Sequence, residues 1–219
     1  MSEYIHKLIA QGENQQLDFK FEISDSKKIA RTLVAFANTD GGRLLIGVKD
    51  NGAIAGVRSE EEYYMIEAAA QLFCKPEIKF QTKEWEVDGK LILEVIVPPG
   101  KQIKHKAPAH DDEYKVFVRI KDQNLLADPI LLQYWKHENN DLPVNINFTE
   151  TEMCLLNLLD KNGSITLKEF QQNVGINRKL AERLLIDFML LGIIKLKQNA
   201  KETRFELIGP NILSFVKSE

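Results

Sequence analysis

The sequence predicts an α+β protein in two parts: a mixed sheet with helices, then a run of short helices closed by a two-stranded hairpin. Three observations carry that expectation. Ala35 to Gly52 reads as a helix end, a Gly41-Gly42 turn, the apolar run Leu44, Leu45, Ile46 and Val48, and a second turn at Asp50-Asn51-Gly52. From Ile78 to Val97 apolar residues alternate on either side of Asp88-Gly89, the pattern of a β-hairpin. Beyond residue 149, three helix-start signals precede two strands around a polar tip.

The elements follow in order. Residues 3–10 form a short helix with Tyr4, Ile5, Leu8 and Ile9 on one side, and 16–21 form the first strand. Asp25 or Ser26 caps a helix running to about Asn38, and a strand covers 43–49. Ser59 with Glu62 makes a capping box for a helix through Phe73, offering Tyr63, Ile66 and Leu72 for burial. The hairpin ends at Pro98-Pro99-Gly100, and 100–113 is a polar loop. Tyr114 to Ile120 is one more strand, and Pro129 to Lys136 one more helix.

The polar, asparagine-rich stretch from Glu138 to Pro143 sets a boundary. It divides a first domain at 1–138 from a linker at 139–147 and a second domain at 148–219. In the second, Thr149 with Glu152 and Thr166 with Glu169 are capping boxes, and Asn177 caps a third helix bearing Leu180, Leu184, Leu185, Phe188 and Leu191. Ile193–Lys197 and Thr203–Leu207 are strands. Three helices and a two-stranded wing make a winged helix-turn-helix.

The bulk composition narrows the function classes. The chain has 219 residues, 44% hydrophobic and 28% charged, with a net charge of −3. A mildly acidic chain has no global attraction for polyanions, so such binding requires local basic patches. No apolar run approaches the ~20 residues of a membrane helix, and the N-terminus lacks a signal-peptide layout. A cytoplasmic protein without a membrane partner is expected. Cys74 and Cys154 are far apart and form no metal-binding pattern, so both are expected reduced and buried. His6, His105, His110 and His137 show no zinc spacing, and Trp85 and Trp135 read as core or interface anchors.

Three blocks then stand in series: Glu13 to Lys20 (ENQQLDFK), Ala35 to Gly42 (AFANTDGG) and Ile46 to Gly52 (IGVKDNG). This series resembles the Schlafen Alba-like domain over roughly residues 8–137. The resemblance implies a mixed-sheet α+β domain associated with nucleic acid. In the vertebrate Schlafen branch three acidic positions support metal-dependent RNA cleavage, and by motif they fall on Glu13, Asp18 and Asp50. Asp18 stands where the nuclease members carry glutamate, one methylene longer. If the chain cleaves RNA, Glu13, Asp18 and Asp50 are its catalytic and metal-binding residues, with Mg²⁺ or Mn²⁺ as the ion. The same family has been described as divergent ATPases. The chain has no GxxxxGK[ST] loop, so no ATP site is expected, and no cofactor is expected outside the nuclease reading.

Two basic groups point to nucleic acid. Lys101, Lys104 and Lys106 lie in the polar loop, with Arg119 and Lys121 on the following strand and turn. In the winged helix, Asn177, Arg178, Lys179 and Arg183 sit on the third helix, the usual groove reader, and Lys195, Lys197, Lys201 and Arg204 on the wing. The expected function is nucleic-acid binding, DNA rather than RNA, in transcriptional regulation and without enzyme activity. The alternatives are a metal-dependent endoribonuclease and a protein-interaction or oligomeric scaffold. A homodimer through the hairpin edges is compatible with each.

Overall fold

A computed structural model describes residues 2–57, 59, 61–100, 103–138 and 149–209. The expected linker at 139–147 and Lys101 lie outside the described residues. The chain forms two compact units, Met1–Leu126 and Ala127–Glu219.

The first unit contains α1 (Ser2–Gln11), β1 (Leu17–Lys20), α2 (Ser26–Asn38), β2 (Gly42–Ile46), α3 (Glu61–Leu72), β3 (Gln81–Val87) and β4 (Lys90–Val97). It continues with β5 (Ala107–Pro108), β6 (Tyr114–Lys115), β7 (Phe117–Ile120) and β8 (Gln123–Leu126). The main sheet has the order β1-β2-β4-β3. Strands β1 and β2 are parallel because α2 crosses between them; β2–β4 and β4–β3 are antiparallel. Both faces are covered. Leu44, Ile46, Leu93, Val95 and Val97 face α2 and α3, where Leu33, Phe36, Ile66 and Ala70 complete the larger core. Leu17, Phe19, Leu45, Val87 and Ile92 point the other way, against Ile5 of α1. This explains the continuous apolar run in β2, which has no solvent face to mark with polar residues.

Local chemistry sets the boundaries. The Asp25 carboxylate accepts from the N–H groups of Lys27 (2.8 Å) and Lys28 (3.3 Å), starting α2. Such a cap contributes about 1 kcal/mol. The helix stops at Thr39, and Gly41 turns the chain with φ +70°. Gly42 opens β2 directly under Phe36, where a Cβ would lie 2.3 Å from the ring. Ser59 and Glu62 form the expected cap for α3, with Ser59 N–H donating to Glu62 Oε2 at 3.3 Å.

Two expectations are corrected. Residues 114–120 are not one strand: β6 pairs with β5, while β7 turns back at Lys121 to pair with β8. Tyr63 and Leu72 are exposed, because α3 turns Ile66, Ala69 and Ala70 toward the sheet instead.

The second unit contains α4 (Pro129–Glu138), α5 (Glu150–Asn162), β9 (Ser164–Ile165), α6 (Leu167–Val174), α7 (Arg178–Leu190), β10 (Ile194–Gln198) and β11 (Thr203–Leu207). Capping boxes at Thr149/Glu152 and Thr166/Glu169 and the Asn177 cap are all formed. Leu155, Leu159, Phe170, Leu185, Phe188 and Phe205 fill the core, joined by Ile130 of α4. Asp128 ties α4 to the hairpin: its N–H donates to Gln198 Oε1 (3.0 Å), and its carboxylate accepts from Thr203 Oγ1 (2.7 Å). The hairpin β10–β11 gains β9 as a third strand.

Gly42→Ala should destabilise the first unit by about 2–3 kcal/mol in urea unfolding, since Phe36 has a packed sheet behind it. A loss under about 0.5 kcal/mol would show that the ring yields freely.

Candidate functional site

The acidic motif residues meet at the β1 edge of the sheet. Glu13 lies in the loop entering β1, Asp18 within it, and Asp50 in the turn beyond β2. All three line one open cleft of about 330 Å³, shared with Lys20, Lys28, Arg31, Thr32, Arg119, Asp122 and Asn124. Four carboxylates therefore face four cations.

Asp18 and Arg119 organise this cleft from below. Asp18 is 3% exposed and Arg119 1%. Arg119 Nη2 donates to Asp18 Oδ1 (3.0 Å) and to the Leu17 carbonyl (3.1 Å). Its Nε donates to the Asn14 carbonyl (3.2 Å) and its Nη1 to Asn124 Oδ1 (3.0 Å). Asn124 in turn donates to Thr32 Oγ1 of α2 at 2.8 Å. One guanidinium thus joins β7 and β8 to β1, and through Asn124 to α2. The second Asp18 oxygen lies 2.9 Å from Lys20 Nζ, an ion pair without hydrogen-bond alignment. Lys20 also lies 3.9 Å from Glu13.

Glu13 has a different duty. Its Oε1 accepts from the Phe19 N–H at 2.9 Å, holding the entry loop to β1. Burial raises its pKa, the Phe19 bond opposes this, and nearby Asp18 raises it further. Among the described residues, no three His, Cys, Asp or Glu side chains are placed to hold a metal ion. Asp18 is committed to two cations, so the three carboxylates, though gathered in one cleft, do not fit a bound metal in this arrangement.

Sequence reasoning missed two buried polar groups. Asn38 donates to the carbonyls of His105 and Phe117, both at 2.9 Å, and accepts from the His105 N–H at 2.8 Å. Its place in the AFANTDGG block is therefore structural, fastening the polar loop and β7 to the end of α2. Glu94 is fully buried on the α1 face, accepting from Tyr4 Oη (2.7 Å) and Trp85 Nε1 (2.9 Å) beside Arg43 Nε (3.1 Å). Burial and the Glu94 bond raise the Tyr4 pKa. Glu94 was hidden by its apolar neighbours in β4.

The Schlafen, AlbA_2 family model matches residues 13–128, just over half of the chain. The chain belongs to this family. No curated protein matches it significantly. Among solved structures, the DIP2311 protein of Corynebacterium diphtheriae is 14% identical with a TM-score of 0.47, covering 96% of this chain. This chain spans 44% of that protein's length. The N-terminal domain of a putative ATP-dependent DNA helicase RecG-related protein from Nitrosomonas europaea is 22% identical, with a TM-score of 0.37. It covers 58% of this chain, which covers 94% of it.

In the Schlafen AlbA_2 domain the described members of the predicted basic group do not all share one surface. Arg119 points inward, as described. Lys106 and Lys121 are exposed, Lys104 half-buried. Nearby, Lys115 pairs with Asp111 (2.6 Å) and Glu113 (3.4 Å), and Lys27 with Asp112 (2.7 Å), which dilutes the local charge. In the second unit, Asn177 spends its side chain on the Leu180 N–H. Arg178 pairs with Glu182, Arg183 with Asp187, Lys197 with Glu206, and Arg204 with Glu169 and Glu202. Lys179, Lys195 and Lys201 are exposed, and none has an ion pair among the described residues. The strand register sets the pattern: Lys197 opposes Arg204 and Lys195 opposes Glu206, so these four share the outer hairpin face. Leu196 and Phe205 turn inward.

Burial dominates the Glu13 shift, which gives a signed pH prediction. Between the ordinary glutamate pKa and the raised one, the folded state binds more protons than the unfolded state. The Glu13 contribution to stability therefore falls as pH rises through that window. Glu13→Gln keeps an oxygen for the Phe19 N–H and removes the charge. Its melting temperature should equal or exceed wild type at pH 7, with the advantage disappearing as pH falls through the raised pKa. A variant less stable than wild type at pH 7 would show that the ionised carboxylate is stabilising.

Proposed function

We propose that this Schlafen AlbA_2 protein binds nucleic acid, with duplex DNA as its target, and acts as a cytoplasmic transcriptional regulator whose second unit is a winged helix. The observation that carries this reading is the β10–β11 register. It aligns Lys195, Lys197 and Arg204 on one outer face, with Lys201 at the exposed tip. Arg178, Lys179 and Arg183 lie along the exposed side of α7, the helix that would enter the groove. Family membership supports the nucleic-acid association. Two free cysteines accord with a reducing compartment. Among the described residues, no helix is long and apolar enough to cross a membrane.

Several of these cations carry acidic partners, but that does not disable them. Exposed ion pairs contribute about 0–1 kcal/mol, and a phosphate array can displace such a carboxylate. The affinity would come from counterion release and so depend steeply on salt.

The test is anisotropy of a labelled DNA duplex, titrated with the full chain across a salt series. Lys195→Glu with Lys197→Glu should weaken binding at least about tenfold and make the log–log salt slope shallower by about two. Unchanged affinity and slope would remove the hairpin from the interface and overturn the reading.

A further inference from the structure

Two adjacent tyrosines near the start of α3 have no part in that reading. Tyr63 is 38% exposed and Tyr64 61%. Their rings meet edge to face, with centroids 5.9 Å apart and planes at 81°. With Val57, Ser59, Glu84, Leu91 and Leu93 they line a cavity of about 380 Å³. The strand register explains this grouping. Glu84 opposes Leu93 and Glu86 opposes Leu91, which puts all four on the sheet face that α3 covers. Lys83 opposes Glu94 and points to the other face.

The chemistry of the cavity is specific. Two aromatic rings stand nearly at right angles, a carboxylate flanks them, and among the described residues no cation lines the cavity. Aromatic faces beside a carboxylate attract organic cations. Leu91, Leu93 and Val57 offer an apolar surface for the aliphatic stem of a long basic side chain. Ser59 cannot serve as the anion-binding donor, because its hydroxyl is occupied by Glu62 in the α3 cap. The cavity also opens beside β3, the edge strand of the sheet. Among the described residues no strand pairs with its outer side. Edge strands accept extended segments, whose alternate side chains then face the same way.

The geometry points to a docking site for an extended basic segment of a partner protein. One Lys or Arg sits between Tyr63, Tyr64 and Glu84, and the next alternate basic residue faces Glu86. The acidic strand face complements such a segment and repels an acidic one.

The test uses the full chain and a fluorescein-labelled peptide of alternating Lys and Thr, with a Gln-Thr peptide as the neutral control. The Lys peptide should bind saturably and the neutral peptide should not. Tyr64→Ala and Glu84→Gln should each weaken binding at least about tenfold. Leu91→Lys, which supplies the cavity with its own cation, should do the same. Glu3→Gln on α1 should leave the affinity unchanged. Equal binding of the neutral peptide, or wild-type affinity in all three cavity variants, overturns the proposal. So does a loss in Glu3→Gln matching that in Glu84→Gln, since the attraction would then be one of general charge.

Discussion

The buried Arg119–Asp18 pair is the constraint on which the first unit depends. Strand β1 lies at the sheet edge, and α2 follows it in the chain and leads back to β2. The β7–β8 hairpin belongs to neither element by strand pairing, yet it must close the sheet end. Arg119 makes that closure through four acceptors drawn from three chain segments. A buried guanidinium with so many acceptors is satisfied; a buried Asp18 without it would keep the Lys20 ion pair, with the Glu13 carboxylate close by. Removing one partner of such a pair typically costs about 3–5 kcal/mol, because the survivor stays desolvated. The hydrophobic cores supply bulk stability, while this pair fixes where the hairpin sits.

That arrangement also explains how the motif residues divide their work. Asn38, Gly42 and Asp18 come from the blocks that carry the family resemblance, and each has a structural duty. Asn38 fastens the polar loop, Gly42 lets β2 start beneath Phe36, and Asp18 anchors Arg119. Glu13 combines a structural bond with a carboxyl pKa that burial raises. The polar cleft above them is balanced in charge. The aligned cations Lys195, Lys197 and Arg204 lie on the hairpin of the second unit instead, with Glu206 among them.

Much of the fold was legible because its signals are local. Capping at Asp25, Thr149, Thr166 and Asn177, the Asp88-Gly89 turn and the alternation in β3 and β4 all act within a few residues. What escaped depends on distant partners. The β7–β8 turn is set by Lys121, whose N–H donates to Gln15 more than a hundred residues earlier. The polar stretch after Glu138 marked a boundary, whereas the compact units divide before α4, whose Ile130 packs in the second core. The burial of Arg119 could not be read from its position in a basic run. The motifs named Glu13, Asp18 and Asp50 but not whether they meet; their shared cleft, with Arg119 in its midst, depends on the fold.

The central claim is that Arg119 and Asp18 act as one energetic unit. A double-mutant cycle with Arg119→Met and Asp18→Asn, followed by urea unfolding of the first unit's fluorescence signal, measures it directly. Each single variant should lose about 3–5 kcal/mol, and the double variant should lose clearly less than the two losses combined, a coupling of about 2 kcal/mol or more. Losses that simply add, or an Arg119→Met variant within about 1 kcal/mol of wild type, would contradict the account.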